Sequence, residues 1–393
     1  QDGNAVAKTI EGWSEKSVTL STAYMFSKGS SKYSFPRRVF GPECTQEDVY
    51  MGAAAGAVDR FARWEASQDV MLLAYGQTGT GKTTTMFGFE RALASGDEAG
   101  WGLFPRVCAE TLARMRADGC PFMLTVSALE FYMMTCTDLL GGKQPVHIDD
   151  AHRVVGHTRQ RIESVDDVLP AIETVNSART TRSTRMNRAG GEHAGSSRSH
   201  CALQLTLARV RDGRVCETTF TLVDLAGAER PSKVREGPAT SAEYEIWQAE
   251  LYGTPVPDSL EMQTVMINYE LFLIGTEVLR ATEKHRAAAP YAPPRQSTTP
   301  LIRFLGACLD GSCATAMIVT LSQAPQNGWE SWFSLNYGND LSKLACPVRT
   351  QPPRNISKEL REAESHARET AVAVAAGPPP EGAPARKYWP AKE

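Results

Sequence analysis

The sequence predicts an α/β fold with a central mixed, mostly parallel β-sheet and helices on both faces. Three observations carry that prediction. Short apolar, β-branched segments alternate with longer helical periods along the chain. One of them, 70–75, runs directly into a glycine-rich turn, GQTGTGKT, from Gly76 to Thr83. The composition is ordinary for a globular protein: 393 residues, 42% hydrophobic, 22% charged and 8% aromatic. It excludes a collagen-like, mucin-like or mostly disordered chain, and the length suits two or three domains or one large one.

In chain order, the apolar and β-branched runs at 69–75, 122–132, 200–209, 217–224 and 314–322 read as buried strands. Helical periods fall at 46–65, 104–116, 166–186, 261–282, 300–309 and 329–344. Strands alternating with helices imply a layered, largely parallel sheet. The run at 122–132 and the pair spanning 200–224 suit antiparallel ladders, so a mixed sheet is the better reading. Two stretches carry no sustained period: 230–260, with Pro255 and Pro257, and 287–300, with Pro290, Pro293, Pro294 and Pro300. Loops this long are usually functional.

The character changes after Leu344. The organisation expected is one domain over 1–344, a linker over 345–356 punctuated by Pro347, Pro352 and Pro353, a helix over 357–376 and a Pro/Ala-rich tail over 377–393. Ser357 supplies a helix cap, and Glu359 and Glu362 suit the positive end of the helix. There are no internal repeats.

A formal charge of −3 and a pI near 6.2 argue against a nucleic-acid protein driven by bulk charge. No apolar run approaches the roughly 18 residues of a membrane span, and the N-terminus lacks the layout of a signal peptide. The chain starts at Gln1 rather than Met, as a processed chain or a fragment would. Nine cysteines without a CxxC or a pairing rhythm read as free thiols of an intracellular protein, and no zinc set is present.

The strongest motif is the GxxxxGK[ST] pattern of Gly76, Gln77, Thr78, Gly79, Thr80, Gly81, Lys82 and Thr83. Following a strand and preceding a helix, such a loop wraps phosphates with backbone N–H groups. Lys82 would reach the β- and γ-phosphates, and Thr83 would place its hydroxyl on Mg²⁺. A second acidic group must then hold the magnesium hydration shell. Asp224, at the end of an apolar strand, suits that task, and Gly227 offers a backbone N–H three residues later.

At this point the chain resembles kinesin motor domains. Ala74 to Thr83 resembles the family's AYGQTGSGKT, Ser196 to His200 matches SSRSH, and Asp224 to Arg230 resembles DLAGSER with Ala228 for Ser. Further matches are Val39 to Pro42 with Gln46 to Tyr50, Glu130 to Tyr132 with Asp138 to Leu140, Arg179, and Met186 with Asn187. Ile267 and Asn268, with Gly275, echo INKSLxxLG. The resemblance runs from about Tyr33 to Leu344 and implies the P-loop NTPase fold of a kinesin motor. It implies that Ser196 and Ser197 close on the γ-phosphate and Mg²⁺, so that Thr83, Ser197 and Asp224 form the metal set. Arg198 and Glu229 would pair when ATP is bound and organise the attacking water, with Gly227 relaying γ-phosphate contact to the helix near Ile267. Arginine's planar, permanently charged fork suits that pairing.

The departures are equally specific. No RxRP strand precedes Tyr33, and Thr84 stands where the family has a His or Tyr that stacks on the base. Eight residues, 188–195, separate Asn187 from Ser196, where the family has two. The INKSL motif has lost its Lys to Tyr269 and Glu270, and the Lys of the family's HVPYRDSKLTRLL becomes Thr298. Basic residues left nearby are Arg280, Lys284, Arg286, Arg295 and Arg303, offset by Glu277 and Glu283. The Pro-interrupted linker is expected to dock poorly against a strand.

The resemblance implies a P-loop ATPase that binds and hydrolyses Mg-ATP, with ATP/ADP and Mg²⁺ as cofactors, coupled to microtubule binding or movement. The alternative is a non-motile kinesin-like scaffold with a weakened nucleotide pocket. Expected partners are microtubules through a weakened interface and assembly proteins through 230–260 and 345–393, with no nucleic acid and no membrane. The expected location is the cytoplasm and cytoskeleton, flagella and other microtubule structures included.

Overall fold

The continuous apolar run at 70–75 forms an interior strand, with neighbours on both sides, as its lack of a polar face requires. The computed structural model describes residues 9–21, 29–186, 198–227, 252, 260–292, 299–358 and 361. Along the chain come β1 (Ile10–Ser14), β2 (Ser17–Ser21), β3 (Ser30–Ser34), α1 (Gln46–Ala53), α2 (Ala55–Ala62) and β4 (Asp69–Gly76). Then follow α3 (Lys82–Phe87), α4 (Glu90–Ser95), α5 (Leu103–Asp118), β5 (Phe122–Tyr132), β6 (Thr135–Asp138), β7 (Gln144–Pro145), β8 (His147–Ile148), β9 (Val154–Val155), β10 (Gln160–Ile162) and α6 (Val168–Met186). The rest comprises β11 (His200–Arg211), β12 (Arg214–Asp224), α7 (Leu260–Arg286), α8 (Pro300–Leu309), β13 (Cys313–Thr320), α9 (Gly328–Leu341) and β14 (Arg354–Asn355).

The main sheet has nine strands in the order β13–β4–β12–β11–β5–β6–β7, with β10 beside β5 and β14 beside β12. It is mixed, as expected, but mostly antiparallel where a mostly parallel sheet was expected. Parallel pairing is confined to β13, β4 and β12, and the remaining pairs are antiparallel. The physical reason is connection length: β11 passes to β12 through Asp212 and Gly213, both at positive φ (50° and 69°), a tight turn that only antiparallel neighbours can use.

Alternate residues of β4 enter two cores. Val70, Leu72 and Ala74 pack with α1, α2, α5 and α6, while Met71, Leu73 and Tyr75 pack with α7 and α8. The helix expected at 46–65 is split at Ala54, where φ is −116°. Gly52 and Gly56 flank that point, and their low helix propensity lets the axis turn. The small sheet β1–β2–β3 was not expected, because its short Ser- and Lys-rich strands carry little apolar pattern. Ile10, Val18 and Leu20 fasten it to Leu335 of α9. On its free edge β13 faces a cavity of about 720 Å³, lined by Phe35, Ile318, Leu341 and Leu344 among others.

The linker corrects an expectation. Rather than docking poorly, 345–356 lies along the sheet. Arg349 N–H donates to Gly311 O (2.8 Å), Gln351 N–H to Ser67 O (2.7 Å) and Ile356 N–H to Gly213 O (3.1 Å), and β14 pairs with Arg214 and Val215. The prolines fall at 347, 352 and 353, none of them at a donating position, so their missing N–H groups break no bond. Side chains add to the hold: Arg349 bonds Asp310 (2.6 Å) and Gln351 Nε2 bonds Asp69 (2.7 Å). The expected 230–260 loop lies outside the described residues apart from Tyr252 and Leu260, as does most of the helix and tail expected over 357–393.

All nine cysteines are free thiols. Among the described residues no helix is long and apolar enough to cross a membrane.

Candidate nucleotide-binding site

Three parallel strands end side by side at the site. Thr320 of β13 is in register with Gly76 of β4, and Asp224 of β12 with Ala74. Open α/β sheets bind ligands outside such carboxyl ends. Gly76 leaves β4 at φ 151°, and a Cβ there would lie 2.3 Å from the Thr320 carbonyl oxygen, so only glycine fits. Gly79 and Gly81 turn the loop at φ 79° and 95°, with open space where a side chain would project.

Lys82 is buried, and its Nζ donates to the carbonyls of Gly76 (2.8 Å) and Gln77 (3.0 Å). The ammonium is thereby held inside the loop, where an anion would meet it. Thr83 Oγ1 donates to Asp224 Oδ2 at 2.8 Å, and Asp224 is 1% exposed. A hydroxyl beside a carboxylate fits Mg²⁺, which takes few protein oxygens and completes its shell with water and phosphate. Among the described residues no three His, Cys, Asp or Glu side chains gather to hold a metal by themselves. Magnesium therefore fits here together with a phosphate ligand.

The loop is braced from several sides. Thr80 Oγ1 donates to Gln77 O (2.7 Å) and lies 2.6 Å from Thr320 Oγ1. Gln77 Nε2 donates to Asn327 Oδ1 (3.0 Å), and Asn327 Nδ2 in turn to Ser322 Oγ (3.0 Å). Gln46 Nε2 donates to the carbonyl of Thr84 (3.0 Å), joining α1 to α3. Sequence reasoning saw Gln46 only as part of a motif and missed Thr320, Ser322 and Asn327, whose role exists only once β13 lies beside β4.

Of the expected site residues, Gly76, Gln77, Thr78, Gly79, Thr80, Gly81, Lys82, Thr83 and Thr84 lie in or just after this loop, with Asp224 against it. Ser196, Ser197 and Glu229 lie outside the described residues. Register between Cys201 and Asp224 brings half-buried Arg198 and buried Gly227 to the same end of the sheet. His200 was matched without a role. Its Nδ1 accepts the Ala226 N–H at 3.1 Å, and its Nε2 lies 3.4 Å from Glu270 Oε2 on α7.

Helix α7 turns Ile267, Leu271, Ile274 and Val278 into the core. Its opposite face carries Tyr269, Phe272 and Leu279, which are 43%, 68% and 51% exposed. Arg280 is held locally, donating to Glu277 Oε1 (3.1 Å) and Ala292 O (2.7 Å) with its guanidinium over the Tyr291 ring. Tyr291 donates to Glu277 Oε2 at 2.5 Å, and burial, followed by that carboxylate, pushes its phenol above the usual range. Lys284 and Arg286 are exposed, while Arg295 and Thr298 lie outside the described residues.

Comparison with known proteins agrees with this arrangement. A family profile described as the kinesin motor domain matches residues 4–249. Kinesin-like protein KIF27 of Rattus norvegicus is 29% identical over 341 residues, 82% of this chain and 22% of that protein. Kinesin-like protein KIF11-A of Xenopus laevis is 30% identical over 390 residues, 91% of this chain and 32% of that protein. The chain thus spans between 22% and 32% of the length of these relatives. Among solved structures, a KIF14 dimer in a two-heads-bound state, with AMP-PNP and in complex with a microtubule, superimposes with a TM-score of 0.68 at 22% identity. That match covers 88% of this chain and 91% of the other. A fast kinesin gives 0.64 at 23% identity, covering 87% of each chain. By family profile, by relatives and by fold, the chain belongs to the kinesin motor-domain family.

Proposed function

We propose that this chain binds and hydrolyses Mg-ATP and that its nucleotide state sets its hold on a microtubule. The observation that carries this reading is the joined pair of contacts at the loop: Lys82 on the Gly76 and Gln77 carbonyls, and Thr83 on Asp224. Backbone N–H groups of 77–83 would wrap the phosphates, with the Lys82 ammonium transferring from loop carbonyls to phosphate oxygens. Thr83, Asp224 and Ser197 would hold Mg²⁺, which when bound neutralises charge on the phosphates. Ser196 would close over the γ-phosphate. Arg198 and Glu229 would pair to orient the attacking water, and the Gly227 N–H would sense the γ-phosphate.

The outer face of α7 favours a second reading, a non-motile scaffold. Tyr269 and Phe272 are exposed, in a helix whose family motif has Lys at the Tyr269 position. Acidic tracks are held by cations, so this face offers little to one. Under that reading, assembly contacts come from 230–260 and 345–393. Calorimetric titration with Mg-ATP and Mg-ADP, followed by phosphate release, tests the first reading. Micromolar binding with slow turnover is expected, and absence of binding rejects it.

A further inference from the structure

Glu270 sits on the inner side of α7, and its carboxylate faces His200. Its Oε2 is 3.4 Å from His200 Nε2, and the two side chains are 3% and 1% exposed. Because His200 Nδ1 accepts the Ala226 N–H at 3.1 Å, that nitrogen carries no proton and the ring hydrogen sits on Nε2, facing Glu270. Yet neither His200 Nε2 nor Glu270 Oε1 makes a hydrogen bond. A separation of 3.4 Å lies just beyond the usual N–H···O range. A buried donor 3.4 Å from a carboxylate oxygen, with the other oxygen of that carboxylate also buried and unbonded, is a costly arrangement that a small movement would relieve.

The neighbours of this gap supply the reason. Ala226 directly precedes Gly227. His200 ends the segment that contains Ser196 and Ser197. Helix α7 carries Tyr269 and Phe272 on its outer face. Where the INKSL pattern has Ser, this chain has Glu270, and a serine hydroxyl ends well short of His200. The reach to the imidazole is therefore a property of this sequence.

We infer that His200 and Glu270 form a strut whose hydrogen bond closes in one nucleotide state and opens in another. Glu270 acts as a positioning residue that ties α7 to the backbone of Ala226 and Gly227. The inference rests on the nucleotide reading proposed above. A shift of α7 by about half an ångström brings the pair within bonding range, and helix shifts of about 1–2 Å are common in switching proteins. A ligand moves an equilibrium only through contacts that differ between two states, and the strut supplies such a contact. Closed, it adds a second hold on the imidazole that already accepts from Ala226. Open, it frees α7 from that backbone.

Hydrogen exchange in the full chain tests this, read at the Ala226 amide and along 262–286, with and without Mg²⁺ and a non-hydrolysable ATP analogue. Glu270→Gln keeps an acceptor oxygen, and Glu270→Leu keeps the bulk without one. Without nucleotide, Glu270→Leu should speed exchange at Ala226 by about tenfold while β12 stays protected, and Glu270→Gln should stay within about twofold of wild type. The analogue should alter protection along α7 in wild type and Glu270→Gln. In Glu270→Leu it should bind within about threefold of wild type without passing the change to α7, and kcat should fall with KM held. If Glu270→Leu does not fold, Glu270→Ser takes its place with the same expectations. Unchanged Ala226 exchange, or a retained α7 response without the acceptor, overturns the strut. Should wild type bind no analogue, the nucleotide reading fails, and the Ala226 comparison still decides whether the strut exists.

Discussion

The loop at the ends of β13, β4 and β12 and the outer face of α7 lie in one domain and have diverged to different degrees. In the loop, Lys82, Thr83, Thr80 and Gln77 each bond a defined partner, and the glycines sit where backbone geometry requires them. On α7, the side that points outward carries Tyr269, Phe272 and Leu279, and Arg280 is engaged by Glu277 and Ala292. Phosphate chemistry tolerates little change, because each group must meet a charge of fixed shape. A surface that meets a partner by charge or apolar contact has many solutions. Under the proposed function, the difference teaches that this fold keeps its chemical end while its docking end is rewritten.

The largest expected effect breaks the loop side of this contrast. Lys82→Ala should weaken Mg-ATP at least about a hundredfold, since a backbone cradle without its cation holds the phosphate charge poorly. Calorimetric titration reads it directly. Next, Glu229→Ala should lower turnover about a hundredfold while affinity stays within about threefold, the pattern of an interaction made only near the transition state. Equal turnover in both proteins would remove the Arg198 and Glu229 pairing from the account.

Base recognition sharpens the contrast inside the pocket itself. With Thr84 at the stacking position, ATP and GTP should bind within about tenfold of each other, and Thr84→His should shift the ratio toward ATP by about threefold. Competition titration measures both. The smallest effect concerns the docking side: Tyr269→Lys should raise microtubule cosedimentation by about threefold at low salt, and the gain should vanish as salt is raised. A gain that survives high salt would mean that the added side chain acts by packing rather than charge.

The phosphate loop was legible in the sequence because strand, glycines and lysine are constrained together over a few consecutive residues. Asp224 was legible only in company, since one strand-end carboxylate says little until a loop beside it is known. The linker misled. Prolines at 347, 352 and 353 suggested poor docking, yet Arg349 and Gln351 between them and Ile356 beyond them supply the N–H donors. The β1–β3 sheet escaped notice because its strands are short and polar. His200 and Glu270 lie 70 residues apart in sequence, and their facing atoms follow from the packing of α7 on β11 and β12, which no local pattern encodes.

The central claim is that the nucleotide end works while the microtubule end is altered. Steady-state ATP turnover, measured with and without microtubules at low salt, tests it most directly. The account predicts slow, Mg²⁺-dependent turnover that is abolished in Lys82→Ala and rises less than about tenfold on adding microtubules. Wild-type turnover no greater than that of Lys82→Ala, at every microtubule concentration, would contradict it.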